Sequence, residues 1–481
     1  MLWLALDFHE LALDLVARGD PTAGALPLAL FTQSGNRQRI TLANRAARAL
    51  GIQAGMPSAA ARSLAADLNP QRHDPEAEHA ALRQLAAWAQ QFTPVLSLQP
   101  PASLLLEIGD GLTLFGGAER LLAQITAEIA ALGFQVRLGC APTPLAAWWL
   151  ARAGRPLPVT TPKMLMAALA PLPLGVLDLP AEIRQRLSGL GLVTLGDCIQ
   201  LPRAGLARRL GTDLVGQIDR ALGQHPDPRP TYNAPPRFVS RIPLPQPVDN
   251  TEPLLFLLRR LLLELSGFLR GHGSGALALN LQLLHSNQTP TLLTLGLLAP
   301  SREVEHLLAL WREKLERHHL IAPVDGIQLS VDHLAALTGI TPDLFHTETH
   351  GGLDFTQFLE RLRSRLGPTA LRQLASHADH RPEQAWRYTD ETTPTATAPL
   401  RTSRPLWLLD APQPLESRAG QPYLHGPLVL LQGPERIESG WWDGSDMRRD
   451  YYLATNPRDQ RLWVFRAFTR PPRWYLHGVF A

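Results

Sequence analysis

The feature that most constrains the fold is a proline-rich joint, HPDPRPTYNAPPR, at 225–237. Proline has no N–H to donate and restricts the residue before it, so neither a helix nor an inner strand continues through such a stretch. A 481-residue chain already exceeds what one hydrophobic core usually serves, so a separate body is expected on each side of the joint. Upstream, LWLALDF is an apolar run with a carboxylate near its end, as in a buried strand. PLALFTQ (27–33) and RQRITLAN (37–44) bracket a turn at Ser34-Gly35-Asn36 and read as a hairpin. RAARALGIQAGMPSAAARSLAADL reads as two short helices, the second opening at Gly-Met-Pro. A helix over 76–91, strands around SLLLEIGD, a helix after Phe115-Gly116-Gly117, a strand over 134–141 and a helix over 144–153 complete a mixed α/β or α+β sheet domain. From about Leu172 to Gln224 the pattern is purely helical. Residues 238–336 follow the order β-α-β-β-α-β, the split ferredoxin-like pattern. A loop (338–352), a helix (354–366) and a Pro/Thr-rich, then strand-like and aromatic stretch finish the chain.

Composition narrows the function classes. With 45% hydrophobic residues and a mean hydropathy of −0.07, the chain has the balance of a soluble globular protein. The richest apolar run, Leu254 to Leu269, is broken by Arg259, Arg260 and Glu264 and falls short of the roughly 20 uncharged residues of a membrane span. The amino terminus has no positive region and meets Asp7 at once, so no secretory signal is read there. Cys140 and Cys198 form neither a disulfide framework nor a metal-ligand spacing. A cytoplasmic protein with no membrane partner, no cofactor and no bound metal is expected. The net charge of +3 is compatible with nucleic acid without being diagnostic. Arginine supplies 44 of the 46 basic residues, a bias that a GC-rich genome produces without any functional cause.

The sharpest motif is Ala47-Arg48-Ala49-Leu50-Gly51-Ile52-Gln53-Ala54-Gly55-Met56-Pro57, followed by Ala61. It resembles the A-R-x-x-G-V-x-x-G-M-P-x-x-x-A stretch in the fingers of Y-family DNA polymerases, and the order of segments along the chain is similar to theirs. The resemblance implies an α+β multidomain fold: palm (1–25 and 73–170), inserted fingers (26–72), a helical thumb (171–228), a linker (229–237), a little finger (238–336) and a C-terminal extension (353–481) with a β-rich segment. In the family the arginine at the position of Arg48 reaches the incoming triphosphate, and a tyrosine stands where this chain has Arg45. Arg155 lies where the family has a phosphate-contacting lysine before proline. These three read as vestigial, phosphate-proximal residues; for Arg48 a solvated position on an Ala-rich helix fits equally well.

Nucleotidyl transfer needs two metal ions roughly 4 Å apart, held by carboxylates on adjacent strands. In the family these come from a first strand similar to I-D-M-D and from a motif like S-I-D-E-A-F-L-D. Asp7 is retained, but between Ser97 and Glu107 the chain reads Ser-Leu-Gln-Pro-Pro-Ala-Ser-Leu-Leu-Leu-Glu, with no acid before Glu107. One carboxylate cannot hold two magnesium ions against water. Asp7 is therefore expected to be vestigial and the chain not to be an enzyme. The alternative is an active translesion polymerase with an atypical site drawing on Asp7, Glu107 or Asp110, although a spacing of three on a strand would turn the last two to opposite faces.

In the thumb, helix-hairpin-helix turns grip phosphate through backbone N–H groups. The first, P-G-I-G in the family, is Leu177-Asp178-Leu179-Pro180 here. The second, Leu190-Gly191-Leu192-Val193-Thr194-Leu195-Gly196-Asp197, resembles the family's L-G-I-x-T-L-G-D. Gly191, Thr194, Gly196, Arg203, Arg208 and Arg209 are the candidate DNA contacts, with a plain helix-helix turn and a solvated charged face as the alternative readings.

Lost carboxylates and a long tail are together similar to the ImuB group of Y-family homologues. Tail signatures that resemble that group are His380-Arg381-Pro382-Glu383-Gln384-Ala385-Trp386-Arg387, Trp441-Trp442-Asp443-Gly444, Arg449-Asp450-Tyr451-Tyr452, and Leu462-Trp463-Val464-Phe465-Arg466 before Trp474-Tyr475. Trp386, Trp441, Trp442, Tyr451, Trp463 and Trp474 are candidate partner-binding residues, or else the core of a small β-rich domain. Thr341-Pro342-Asp343-Leu344-Phe345 is similar to a Q-L-x-L-F clamp-binding peptide, with Thr341 in place of glutamine and the anchors Leu344 and Phe345 kept. The resemblance implies a non-catalytic adaptor of damage-induced (SOS) mutagenesis and translesion synthesis. Its partners would be primer-template DNA, the sliding clamp, the RecA-like protein ImuA and an error-prone C-family DNA polymerase. A scaffold that does not touch DNA is the remaining alternative.

Overall fold

The computed structural model describes residues 1–20, 26–155, 158–286, 288–337, 355–367, 370–389 and 404–480. They fall into two compact units, Met1–Arg365 and Leu366–Ala481. None of the described helices is long and apolar enough to cross a membrane.

The first unit opens with β1 (Trp3–Asp7) and α1 (Leu11–Ala17). The fingers segment follows as β2 (Leu28–Ser34), β3 (Arg37–Ala43), α2 (Arg45–Ala49), α3 (Ser58–Leu64) and β4 (Asn69–Arg72). The expected hairpin pairs β2 with β3, and β4 adds in parallel to β2. That third strand is absent from the sequence reading, because Asn-Pro-Gln-Arg carries no strand signature. The chain returns through α4 (Pro75–Ala89), β5 (Leu96–Gln99), β6 (Ser103–Glu107), α5 (Ala118–Leu132), β7 (Arg137–Ala141) and α6 (Pro144–Arg152). The palm sheet has the order β5-β6-β1-β7, with β1 antiparallel to both neighbours. Its alternation sorts β1 between two cores: Leu4 and Leu6 meet the α4 and α5 side, and Ala5 meets the α6 side. Covered on both faces, β1 reads as a nearly unbroken apolar run.

The helical stretch is α7 (Pro162–Leu169), α8 (Ala181–Gly189), α9 (Leu195–Gln200), α10 (Arg203–Leu210) and α11 (Thr212–Ala221), sharing one core with α6. The proline-rich joint is irregular, as its composition dictates, but it is no free tether. Tyr232 donates its N–H to Leu96 O (2.7 Å) and its hydroxyl to Arg83 O (3.0 Å), and Arg229 Nη1 donates to Gln99 Oε1 at 2.8 Å. Beyond it run β8 (Phe238–Val248), α12 (Glu252–Gly271), β9 (Ser274–His285), β10 (Gln288–Ser301), α13 (Val304–Glu316), β11 (Val324–Val331), β12 (Leu334–Ala336) and α14 (Phe355–Leu366). The sheet order β10-β9-β11-β8 splits each βαβ crossover by one strand. α12 and α13 fill one face with leucines; the other carries Arg241, Gln328, Gln282, Asn280 and Thr294, with Gln328 bonded to Gln282 and Thr294 to Asn280.

The second unit holds a two-stranded ribbon, β13 (Gln373–Ser376) with β14 (Trp386–Thr389). Then come β15 (Trp407–Arg418), β16 (Gln421–Tyr423), β17 (Val429–Ser439), β18 (Met447–Thr455), β19 (Arg461–Ala467) and β20 (Arg473–Val479), in a sheet of order β16-β15-β20-β19-β18-β17. Each face of this sheet carries its own apolar cluster. On one, Tyr451 stacks on Trp463 (centroids 4.1 Å apart) and its hydroxyl meets His477 Nδ1 at 2.8 Å. Arg449 bonds that hydroxyl at 3.0 Å and pairs with Glu383 at 3.1 Å.

Two outcomes follow from this packing. A Cβ on Gly139 in β7 would overlap Ala147 O and Ala151 N of α6, backbone atoms that cannot swing aside. Gly139→Ala should lower the stability of the first unit by about 1–3 kcal/mol in urea unfolding, and an unchanged midpoint would refute the close β7–α6 contact. Burial, and secondarily Arg449, pushes the His477 imidazole down from 6.5 to about 4, while Glu383 opposes. The unfolded chain therefore binds the proton first, so the stability that the neutral His477 contributes is complete above about pH 6.5 and lost as pH falls toward about 4. Tryptophan-fluorescence unfolding should show this slope in the native chain and a weaker slope in His477→Gln; equal slopes would contradict it.

Candidate functional site

The palm edge is built by register. β1 ends at Asp7, and the residue facing it on β6 is Ser103, with Arg137 facing it from β7. The Ser103 hydroxyl donates to Asp7 Oδ1 at 2.8 Å, and Trp148 Nε1 on α6 donates to the Ser103 oxygen at 3.1 Å. All three side chains are buried. The Arg152 guanidinium lies over the Trp148 ring, 5.1 Å from its centroid, and reaches Asp178 of the thumb at 3.8 Å. Next to this edge, burial first and Arg137 second lower the pKa of His9 below its ordinary range. Asp7 is thus met by a hydroxyl rather than by a second carboxylate, and that hydroxyl is held in turn by an indole N–H, which donates without ligating.

The other acids named from sequence stand elsewhere. Glu107 is at the far end of β6, opposite Trp3, where its Oε1 accepts the N–H of Leu2 (2.9 Å) and of Gly109 (3.1 Å). Asp110 is not on the strand; it lies exposed in the 3₁₀ turn Gly109–Gly111. The structure does not bring Asp7, Glu107 and Asp110 together. Among the described residues, no group of three or more His, Cys, Asp or Glu side chains is arranged to hold a metal ion.

In the fingers, Asn44 caps α2 by accepting the N–H of Ala47, which leaves Arg45 exposed in the first turn. Arg48 Nη2 pairs with Glu10 Oε1 at 2.6 Å, so the fingers arginine is directed to a carboxylate three residues beyond Asp7. Glu10 was not singled out from the sequence, which carries no signal for a pair 38 residues apart. Arg155 is exposed just past α6, its N–H bonded to Leu150 O.

The thumb turn that resembled a phosphate grip has its donors committed. Gly191 N bonds Ser188 O, Leu192 N bonds Leu187 O, Leu195 N bonds Leu172 O and Gly196 N bonds Ala170 O. Val193 N and Thr194 N both donate to Asp197 Oδ2 (3.0 and 2.8 Å), and Asp197 N donates back to the Thr194 hydroxyl. The backbone N–H groups of Thr194 and Val193 hold the Asp197 carboxyl below the usual carboxylate range. Gly196 is needed because a Cβ would stand 3.0 Å from Ala170 O. Gly191, Thr194 and Gly196 therefore build a helix-helix turn, the plainer of the two sequence readings. The adjoining cleft of about 370 Å³ is lined by Pro173, Leu174, Leu187, Leu192 and Val193 together with Arg184 and Ser188. Arg203 is held by Asp219 and by Gln224 Oε1 (2.7 Å). Arg208 and Arg209 remain exposed in the last turn of α10.

The tail candidates divide. Tyr451 (1% exposed), Trp463 and Trp474 are core residues and offer no face to a partner, which corrects their reading as binding residues. Burial drives the tyrosine hydroxyl of Tyr451 up to about 12. Trp441 (77% exposed), Trp442 (57%) and Trp386 (48%) are presented to solvent. The Trp441-Trp442 loop is held in shape. Arg381 pairs with both Asp379 and Asp443 and lies over Trp442, and Gly440, at φ +86°, has no room for a Cβ beside Ser445 O. The H-R-P-E signature is thus a structural clamp, since Glu383 likewise pairs with Arg449. Thr341, Leu344 and Phe345 lie outside the described residues.

With this geometry in view, residues 6–152 match the impB/mucB/samB family model. Over 461 residues the chain is 27% identical to Protein ImuB of Caulobacter vibrioides (strain NA1000 / CB15N), covering 90% of this chain and 100% of that one. It is 29% identical over 198 residues to DNA polymerase IV of Yersinia pestis (strain Pestoides F), covering 40% of this chain and 56% of that one. Among solved structures, DinB from Sulfolobus solfataricus aligns with 70% of this chain and 100% of its own, at 17% identity and a TM-score of 0.42. The chain is thus similar to Protein ImuB over nine tenths of its length, and its residues 6–152 match the impB/mucB/samB family model.

Proposed function

We propose that this chain is a non-catalytic, polymerase-shaped adaptor of translesion DNA synthesis in damage-induced mutagenesis, acting in the cytoplasm. The observation that carries the reading is the pairing of Asp7 with Ser103, itself held by Trp148, where two-metal nucleotidyl transfer requires further carboxylates. In this reading the body holds primer-template DNA weakly, with the exposed Arg208 and Arg209 among the thumb arginines that meet phosphate. Arg45, Arg48 and Arg155 remain as vestiges of phosphate handling, and the ion pair with Glu10 keeps Arg48 from that task. The 338–352 segment, through Thr341, Leu344 and Phe345, engages the sliding clamp. The tail, through Trp386, Trp441 and Trp442, meets ImuA and an error-prone C-family polymerase, which performs the synthesis. The reading of an active polymerase draws on Asp7, Glu107 and Asp110, and their separation in the fold weighs against it.

Primer extension by the full chain with Mg²⁺ or Mn²⁺, run beside binding to the same primer-template across a salt series, tests the proposal. No extension is expected, together with binding that weakens as salt rises and whose salt slope falls in an Arg208→Ala/Arg209→Ala variant. Extension that disappears in Asp7→Ala would overturn the adaptor reading in favour of an enzyme. Absence of binding at low salt would overturn its DNA contact and leave a scaffold that does not touch DNA.

A further inference from the structure

Two segments joined by a linker are expected to move relative to one another unless a large, well-packed interface holds them. The seam between the palm and the β8–β12 body has that character. α12 faces its own sheet with one side and packs on α4 and α5 with the other. Four glycines lie in close contact across the seam. A Cβ on Gly267 would overlap the Trp88 ring, and one on Gly271 would stand 3.1 Å from Gln90 Cβ. One on Gly19 would overlap Pro243 O, and one on Gly133 would press on the Arg260 guanidinium at 2.7 Å.

Charge is sealed into the same seam. Arg18 of the palm and Glu264 of α12 form an ion pair with both side chains almost wholly buried (2% and 4% exposed). The second Glu264 oxygen accepts from Ser240, Arg260 donates to Arg18 O, and the Arg18 guanidinium lies 4.5 Å over the Phe134 ring. A buried charge separated from its partner without full rehydration is strongly penalised, so the pair makes partial opening costly. The proline-rich joint adds a strap, because Tyr232 packs against the cores on both sides and is bonded to Leu96 and Arg83.

We infer that the palm and the β8–β12 body form one locked piece, with α12 as their shared wall, and that the 225–237 segment is a strap rather than a hinge. One consequence concerns spacing. β12 pairs with Ser274–Ala276, three residues past the docked end of α12, so the chain leaves toward residue 338 from a point fixed relative to Asp7. If the proposed adaptor reading holds, the point from which the chain leaves for the clamp-binding segment is then fixed relative to DNA at the palm. The lock itself does not depend on that reading.

Pulsed electron-electron spin resonance on the full chain tests it, with nitroxides on Glu76→Cys in α4 and Arg312→Cys in α13, both exposed, and the buried Cys140 and Cys198 left in place. A single narrow distance distribution, unchanged when primer-template DNA is added, is expected. Multiple distances in the free chain, or a shift on adding DNA, would overturn the lock. A second measurement uses Glu264→Gln, which keeps the side-chain shape and removes its charge, in the same labelled background. Broadening with unchanged circular dichroism is expected, and a distribution as narrow as that of the parent would show that the buried pair does not hold the seam. The free-chain distances decide the lock even if the chain binds no DNA, so the two readings fail separately.

Discussion

The hydroxyl of Ser103 has one proton, and it goes to Asp7. That bond organises the palm edge. It follows from the strand-to-strand register that sets Ser103 opposite Asp7, and it places there a neutral group that in turn accepts from Trp148. Asp7 is buried at the end of a central strand, where a carboxylate without a donor would be strongly disfavoured. From Trp148 the contacts continue through Arg152 to Asp178, so the edge of the sheet is tied to the first thumb hairpin at the place where two family glycines have been replaced. What reads in the sequence as loss is, in the fold, a substituted set of contacts.

The same substitution recurs at two other places. The fingers arginine that would meet a triphosphate meets Glu10, and the thumb N–H groups that would meet a DNA phosphate meet Asp197 and backbone carbonyls. In each case the partner is an internal carboxylate or carbonyl.

Much of the fold was legible because it rests on local patterning. The β2–β3 hairpin, the two short helices of the fingers and the β-α-β-β-α-β order all follow from apolar periodicity and turn residues. The expectation that the metal pair is lost rests on residue types alone, since no acid precedes Glu107 in its segment. What the sequence withheld depends on contacts distant in the chain. Nothing in Glu10 announces Arg48, nothing in Trp148 announces Ser103, and the polar strand β4 pairs only because the fingers core brings it beside β2. The tail aromatics could not be divided into core and surface by type. Burial separates Tyr451, Trp463 and Trp474 from Trp386, Trp441 and Trp442, and that is a property of sheet register.

The central claim is that Asp7 no longer belongs to a metal centre. Titration of Mn²⁺ into the full chain, followed by the electron paramagnetic resonance of the free ion, addresses it directly. The account predicts the same weak retention of Mn²⁺ by the native chain and by Asp7→Asn, and a new, tighter site when Ala102→Asp and Ser103→Glu are introduced together opposite Asp7. Stoichiometric Mn²⁺ binding by the native chain that disappears in Asp7→Asn would contradict it.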